Sequence, residues 1–382
     1  MTGRPIRRAS PWLLAMTSAL AACAAPAGQP GEPELGPPLE WRVGVAEHVA
    51  LWYHGMAYTA AGAGADTAAQ PPAPPAPPAP PADTLPPVPL YRPGYVDSMT
   101  AAKRRAGVYP TELDRRADEF AREFEGEAAY AALHFLPLYF RNADALFGAI
   151  RVWHQAGGDP RRVGGSAAAA VAFLSSLFPT ARQRSVIAAW AEVLQAESRT
   201  FYHAHWQEQE PALTELAAAV QAEWAPLADS LADFLLYAQL RGGDLVLAPA
   251  LGAEGRIVTR GVQRPRVAIQ TPPADRPRDA LWPFLHELVY PLAAETVREY
   301  LAPVRIRELG ETAITSRAAI RTGALLLDRV APGYAADYRR FFLVSAGYDP
   351  ADLEAAFDRV FSVPPELEAG LRELVRQALA GI

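Results

Sequence analysis

From Tyr95 to the C-terminus, apolar residues recur at three- and four-residue spacing through most of the chain, which predicts a succession of helices. The first opens at Thr111-Glu112-Leu113-Asp114, with Thr111 as the N-cap, and runs through ADEFAREFEGEAAYAALHF. Further helices are expected at 143–156, 164–177, 180–209, 211–224 and 226–241, with an ending at Gly157-Gly158 and a break at Pro211. The pattern then changes. After Gly242-Gly243 come three short β-prone runs, 244–249, 256–260 and 266–270, whose close spacing predicts a small antiparallel sheet. Helices resume at 278–301, 310–328, 333–346, 350–360 and 364–380. At the front, Trp41 to Tyr58 begins with strand-like alternation and passes into a short amphipathic helix. No 20–50-residue repeat is present. The expected fold class is α+β, mostly α-helical, in one domain over 41–382.

Two stretches fall outside this pattern. The N-terminus carries Arg4, Arg7 and Arg8 ahead of an apolar run from Trp12 to Ala22, too short to span a bilayer, and ends in Leu20-Ala21-Ala22-Cys23. Small residues before the scissile bond followed at once by a thiol are the pattern of a lipoprotein signal peptide over 1–22, with a diacylated Cys23 beginning the mature chain. Cys23 is the only cysteine, so it has no disulfide partner. Residues 23–40 are Pro/Gly-rich and read as a tether, and 60–93 form a Pro-rich low-complexity insertion whose PPA triplets favour an extended spacer. The expected location is the bacterial cell envelope, lipid-anchored, at an outer membrane and facing the periplasm or the cell surface. The partners are then the membrane, through the N-terminal lipid, and an unknown envelope protein or peptide.

Charge narrows the partners further. Against 36 basic residues stand 42 acidic ones, a net −6, and loss of the leader's arginines leaves the chain more acidic, which argues against nucleic acid. Lys103 is the only lysine, a bias consistent with a GC-rich genome.

The chemistry-bearing stretch is Trp-Pro-Phe-Leu-His-Glu-Leu-Val-Tyr-Pro-Leu at 282–292, which follows the strands and precedes a helix starting Gly310-Glu311. A zincin metallopeptidase uses that order: an edge strand bounds the cleft, one helix presents HExxH, and a later helix supplies a third ligand. With Phe201-Tyr202-His203-Ala204-His205 ahead of the sheet and His286-Glu287-Leu288-Val289-Tyr290-Pro291-Leu292 after it, the chain resembles a bacterial domain-of-unknown-function family of exported, gluzincin-like metallopeptidases. In that family a Phe-Tyr-x-x-His segment precedes the sheet and the metal helix reads like HExxHSFxNPL. The resemblance spans residues 41–340 and implies a zincin-like fold.

The motif is degenerate in either of two registers. In one, His286 is a ligand, Glu287 the general base, and Tyr290 replaces the second histidine; a phenol titrating near ~10 is a poor substitute for imidazole, and Pro291 disturbs the helix. In the other, preferred because Pro291-Leu292 then aligns without a gap, His286 is the second histidine, and Trp282 and Pro283 stand where the first histidine and the base belong. Glu311 is the candidate third ligand in both, although an acid in a helix's first turn is also favoured by the helix dipole alone.

The remaining histidines carry less. His203 and His205, two apart on a helix, splay to different faces, which suits a wet surface pair. His48, His54, His134 and His154 sit among apolar residues and read as packed core histidines. Arg256, Arg260, Arg264 and Arg266 read as edge protection on an exposed strand face. No Gly-x-Ser-x-Gly elbow, P-loop or dinucleotide fingerprint is present. The expectation is therefore a lipid-anchored, metallopeptidase-like domain, with no cofactor, that serves a binding or scaffold role. One alternative is an active zinc peptidase using His286, Glu287, Tyr290 and Glu311, and a second is an α-rich structural lipoprotein without a site.

Overall fold

A computed structural model of the chain describes residues 40–65, 88–125, 127–348 and 351–380. The expected leader, Cys23 and the tether up to residue 39 lie outside the described residues, as do 66–87 of the Pro-rich insertion. The rest of that insertion is structured. Residues 60–65 continue a helix, and Tyr91 bridges Leu251, with Arg92 N–H donating to Ala250 and Gly252 N–H to Leu90.

Around a four-stranded sheet the chain is mostly helical. Strand β1 (Glu40–Val45) leads into α1 (Glu47–Ala65). Then follow α2 (Tyr95–Arg105), α3 (Glu112–Glu125), α4 (Ala143–Gln155), α5 (Gly165–Leu177) and α6 (Ala181–Glu197). A single π turn, Ser198–Tyr202, joins α6 to α7 (His203–Ser230), and α8 (Ala232–Tyr237) precedes the sheet proper. After β2 (Gly242–Ala248), β3 (Arg256–Val258) and β4 (Arg266–Gln270) come α9 (Leu281–Tyr300), α10 (Pro303–Leu309), α11 (Glu311–Val330), α12 (Pro332–Ser345), α13 (Leu353–Val360) and α14 (Pro365–Ala378).

The sheet corrects the expectation of a purely antiparallel one. Its order is β1-β2-β4-β3; β1, β2 and β4 run parallel, and only β3 is antiparallel, pairing with β4 at the far edge. After β2 the chain passes beyond the place of β4, descends as β3, and returns as β4 between the two. A run of local sequence cannot reveal this, because β1 joins β2 from almost two hundred residues upstream.

Strand alternation divides the protein into two cores. Leu245, Leu247, Val267 and Ile269 face one helical layer, which includes the later part of α7 and α9 to α14, while Val246, Ala248 and Ala268 face the other, built from α1 to α6, the π turn and the start of α7. Side chains on both faces are apolar, as parallel strands covered on both sides require. Helix α1 is longer than expected and not amphipathic: Val49 to Tyr53 and Met56 to Tyr58 are almost all buried, because it packs between the sheet and α3. Pro211, expected to break a helix, lies inside α7, as does Pro226. Each sits on the exposed side, where water can take the bond freed at the carbonyl four residues back. The continuous helix is interrupted instead by the π turn.

Candidate functional site

The motif helix α9 packs along β3 and β4 and against α11, and it is buried all round from Leu281 to Val289. In that setting His286 and Glu287 have no access to bulk water and must find partners inside the protein. Gly255, just ahead of the edge strand, makes the approach possible: a β-carbon there would lie 2.7 Å from Glu287 Cγ and 2.6 Å from the Ala268 carbonyl oxygen. The absence of a side chain lets the Glu287 stem pass against the start of β3.

Five polar side chains from three places meet there. His286 donates from Nδ1 to Glu287 Oε1 at 2.9 Å, and its Nε2 lies 3.4 Å from Ser316 Oγ on α11. Ser316 donates to Glu254 Oε1 at 2.5 Å, and the other Glu254 oxygen lies 3.6 Å from Arg256 Nη1. Burial alone would lower the Arg256 guanidinium, but the carboxylates of Glu287 and Glu254 raise it above its ordinary value. The two acids are thus held from within by a largely buried cation and by hydrogen bonds from His286 and Ser316. Behind Arg256, Tyr91 donates to His134 Nδ1 at 2.9 Å; burial first, and Arg256 second, hold that imidazole at about 3, so it is neutral at physiological pH.

Trp282 is buried edge-on against Tyr334 and Tyr338, and Pro283 is buried too, so the positions of the second register lie in the packed core. His286, Glu287 and Tyr290 share one neighbourhood, with the His286 and Tyr290 rings 5.6 Å apart. Residues of both registers thus lie in the same buried stretch of α9. Burial, then Glu287 and Glu254, push the Tyr290 hydroxyl up to about 12, so it stays a phenol at neutral pH. Glu311 does not join them. Its side chain is 61% exposed and pairs with Arg298 at 3.4 Å. Five residues further along the same helix, about 140° round its axis, α11 instead turns Ser316 inward.

A zincin-type zinc ion needs three donor side chains converging on one open position. Here the two ring nitrogens of His286 face Glu287 and Ser316, Tyr290 is a phenol, and Glu311 faces solvent. Among the described residues no group of three or more His, Cys, Asp or Glu is arranged to hold a metal ion. The residues present do not fit the zinc that the sequence resemblance implies.

Ser316, His286 and Glu287 do stand in the order of nucleophile, base and orienting acid. Two features oppose that chemistry. Ser316 gives its single proton to Glu254 rather than to His286. It also lies inside α11, where backbone N–H groups are engaged by the helix, and none is left to stabilise an oxyanion.

Other candidates fall into place. His48 Nε2 contacts the Phe140 carbonyl oxygen at 2.9 Å, and His54 is wholly buried; His154, expected in the core, is exposed. His203 is a surface group 2.8 Å from Glu47, whereas His205 is half-buried and stacks on Phe201. The arginines near the edge strand are not the solvated row expected: Arg266 donates to the Phe140 carbonyl at 2.7 Å, Arg264 to that of Glu40 at 2.5 Å, and Arg256 turns into the cluster.

A second buried charge cluster was not anticipated from sequence. The fully buried Lys103 lies 2.8 Å from Glu197 Oε1 and 3.0 Å from Asp114 Oδ1, with its ammonium 4.2 Å over the Tyr58 ring. His54 bridges the Tyr95 hydroxyl at 3.0 Å and Glu197 at 3.1 Å. Burial holds His54 below the usual imidazole range, which leaves Lys103 as the charge partner of Glu197 at neutral pH. The one available signal was Lys103 itself, a single lysine among 36 basic residues.

No family model, no curated protein and no solved structure matches the chain. Among the described residues no helix is long and apolar enough to cross a membrane.

Proposed function

We propose that this is an envelope lipoprotein, anchored through Cys23, whose zincin-like domain has exchanged its metal site for an internally paired polar cluster and serves as a binding or scaffold module. Support for the anchor comes from the charged start, short apolar run and Leu20-Ala21-Ala22-Cys23 ending of the leader. Support for the zincin likeness comes from the order of elements: an antiparallel edge strand, the motif helix beside it, and a second helix packed on the motif helix. The same packing weighs against an α-rich lipoprotein in which the motif likeness is accidental.

One observation carries the loss of metal chemistry. Arg256 stands beside the carboxylates of Glu254 and Glu287 and supplies one of the two positive charges that a zinc ion would bring. A divalent cation entering beside it would meet a guanidinium at close range. The active-peptidase alternative needs Glu311 at the metal, and Glu311 is engaged with Arg298 at the surface. Peptide cleavage tests the reading. Purified protein incubated with zinc and a mixed peptide library is expected to give no hydrolysis above background; cleavage abolished by a chelator would return the site to the zinc peptidases.

A further inference from the structure

Beside the cluster, a cavity of about 360 Å³ opens between α11, the start of β3 and the Val88–Leu90 segment. That volume lies at the lower end of small-molecule sites, which span about 300–1,000 Å³. Its charge is uneven. Glu254, the one acid in its wall, is already engaged by Ser316 and Arg256. Arg317 also lines the cavity, is half-buried, and makes no hydrogen bond or ion pair among the described residues. Thr312 adds a hydroxyl, and Leu90, Ile320 and Phe361 form an apolar wall. A half-buried guanidinium with no partner among the described residues, beside an apolar wall, favours a ligand that carries an anion at one end and hydrocarbon at the other.

We propose that this cavity binds a carboxylate carried on a small apolar body, with Arg317 pairing the carboxylate and the Ile320–Phe361 wall taking the hydrocarbon. The assignment rests on the binding-module reading and names its ligand class. Planar, two-pronged recognition of a carboxylate is what a guanidinium does better than any other side chain. Two sources share this chemistry, the C-terminus of a peptide ending in an apolar residue and a free short-chain carboxylic acid.

The test is calorimetric titration of the purified protein with three compounds at millimolar concentration: N-acetyl-leucine, N-acetyl-leucinamide and 4-methylpentanoate. N-acetyl-leucine is expected to bind, and the uncharged amide to bind at least about tenfold more weakly, the loss of one charge-assisted pair. Arg317→Gln, on a half-exposed side chain, should retain the native melting profile and lose about the same factor. Equal binding of 4-methylpentanoate would assign the cavity to free acids, and its failure would assign it to peptide C-termini; both support the carboxylate site. Absence of binding by either acid, equal affinity of acid and amide, or indifference to Arg317→Gln would each overturn it. Zinc content measured on the same preparation separates the outcomes, since metal-free protein that ignores both acids removes only the ligand assignment.

Discussion

Lys103→Ala is expected to destabilise the protein by about 3–5 kcal/mol, the cost of leaving buried carboxylates without their cation. Lys103 has no exposed side-chain surface and contacts both Glu197 and Asp114, so its removal strands two acids at once. Glu197 is poorly placed to absorb the loss, because its Oε2 already has no hydrogen-bond partner among the described residues. A change of this size is a large part of the roughly 5–15 kcal/mol that holds a typical domain folded. Urea denaturation followed by circular dichroism would show it as a lower midpoint. The effect should depend on pH in a defined sense. Burial opposes ionisation of Glu197, but the His54 hydrogen bond and the Lys103 charge outweigh it and hold the carboxyl at about 2. A depressed acid contributes stability that is complete above the unfolded-state value of 4.5 and is lost as pH falls toward 2. The gap between wild type and Lys103→Ala should therefore be widest near neutrality and shrink below about pH 4.5. A gap that stays constant down to pH 3 would mean that Lys103 acts through packing alone.

Arg256→Ala should have an effect of similar size, again about 3–5 kcal/mol, for the same electrostatic reason at the other cluster. The substitution leaves Glu254 and Glu287, both nearly inaccessible, facing His286 and Ser316 with no guanidinium between them. Arg256→Lys should recover part of the loss, since it restores the charge but not the planar fork. The variant carries a second signature. With the internal cation gone, Glu254, Glu287 and His286 become candidate donors, and added divalent zinc is expected to raise the thermal midpoint of Arg256→Ala while leaving that of the wild type unchanged. Equal midpoints for wild type and variant without zinc would show that Arg256 does not neutralise the cluster.

The sequence patterns read most clearly where structure is local. Gly157-Gly158 ends α4, and α11 begins at Glu311 just after Gly310. Thr111, expected as an N-cap, stands just ahead of α3, where its hydroxyl oxygen accepts from the Asp114 N–H at 3.5 Å. What failed was non-local. Pro211 reads as a break because a proline removes a helical hydrogen bond, yet solvent on the exposed side of α7 can replace the missing partner. The strands near 244–270 look antiparallel because their links are short, and nothing local discloses that the chain passes over the place of β4 and leaves β2 parallel to it.

The site shows the same division. His286, Glu287 and Tyr290 come together because positions i, i+1 and i+4 of one helix are fixed by its geometry. Glu311 was chosen by chemistry and distance along the chain, but the face of α11 turned toward His286 carries Ser316. Glu254 and Arg256 gave no periodic signal at all; a charged pair at the mouth of an edge strand reads as surface until tertiary packing covers it.

The most direct test of this account is the zinc bound by the wild-type protein after equilibrium dialysis against micromolar free zinc, measured as metal per chain. Because Arg256 already occupies the position beside Glu254 and Glu287 with a fixed positive charge, the prediction is a small fraction of one ion, unchanged by Tyr290→Phe or Glu311→Gln. One tightly held ion per chain, lost when His286 is replaced by alanine, would contradict it.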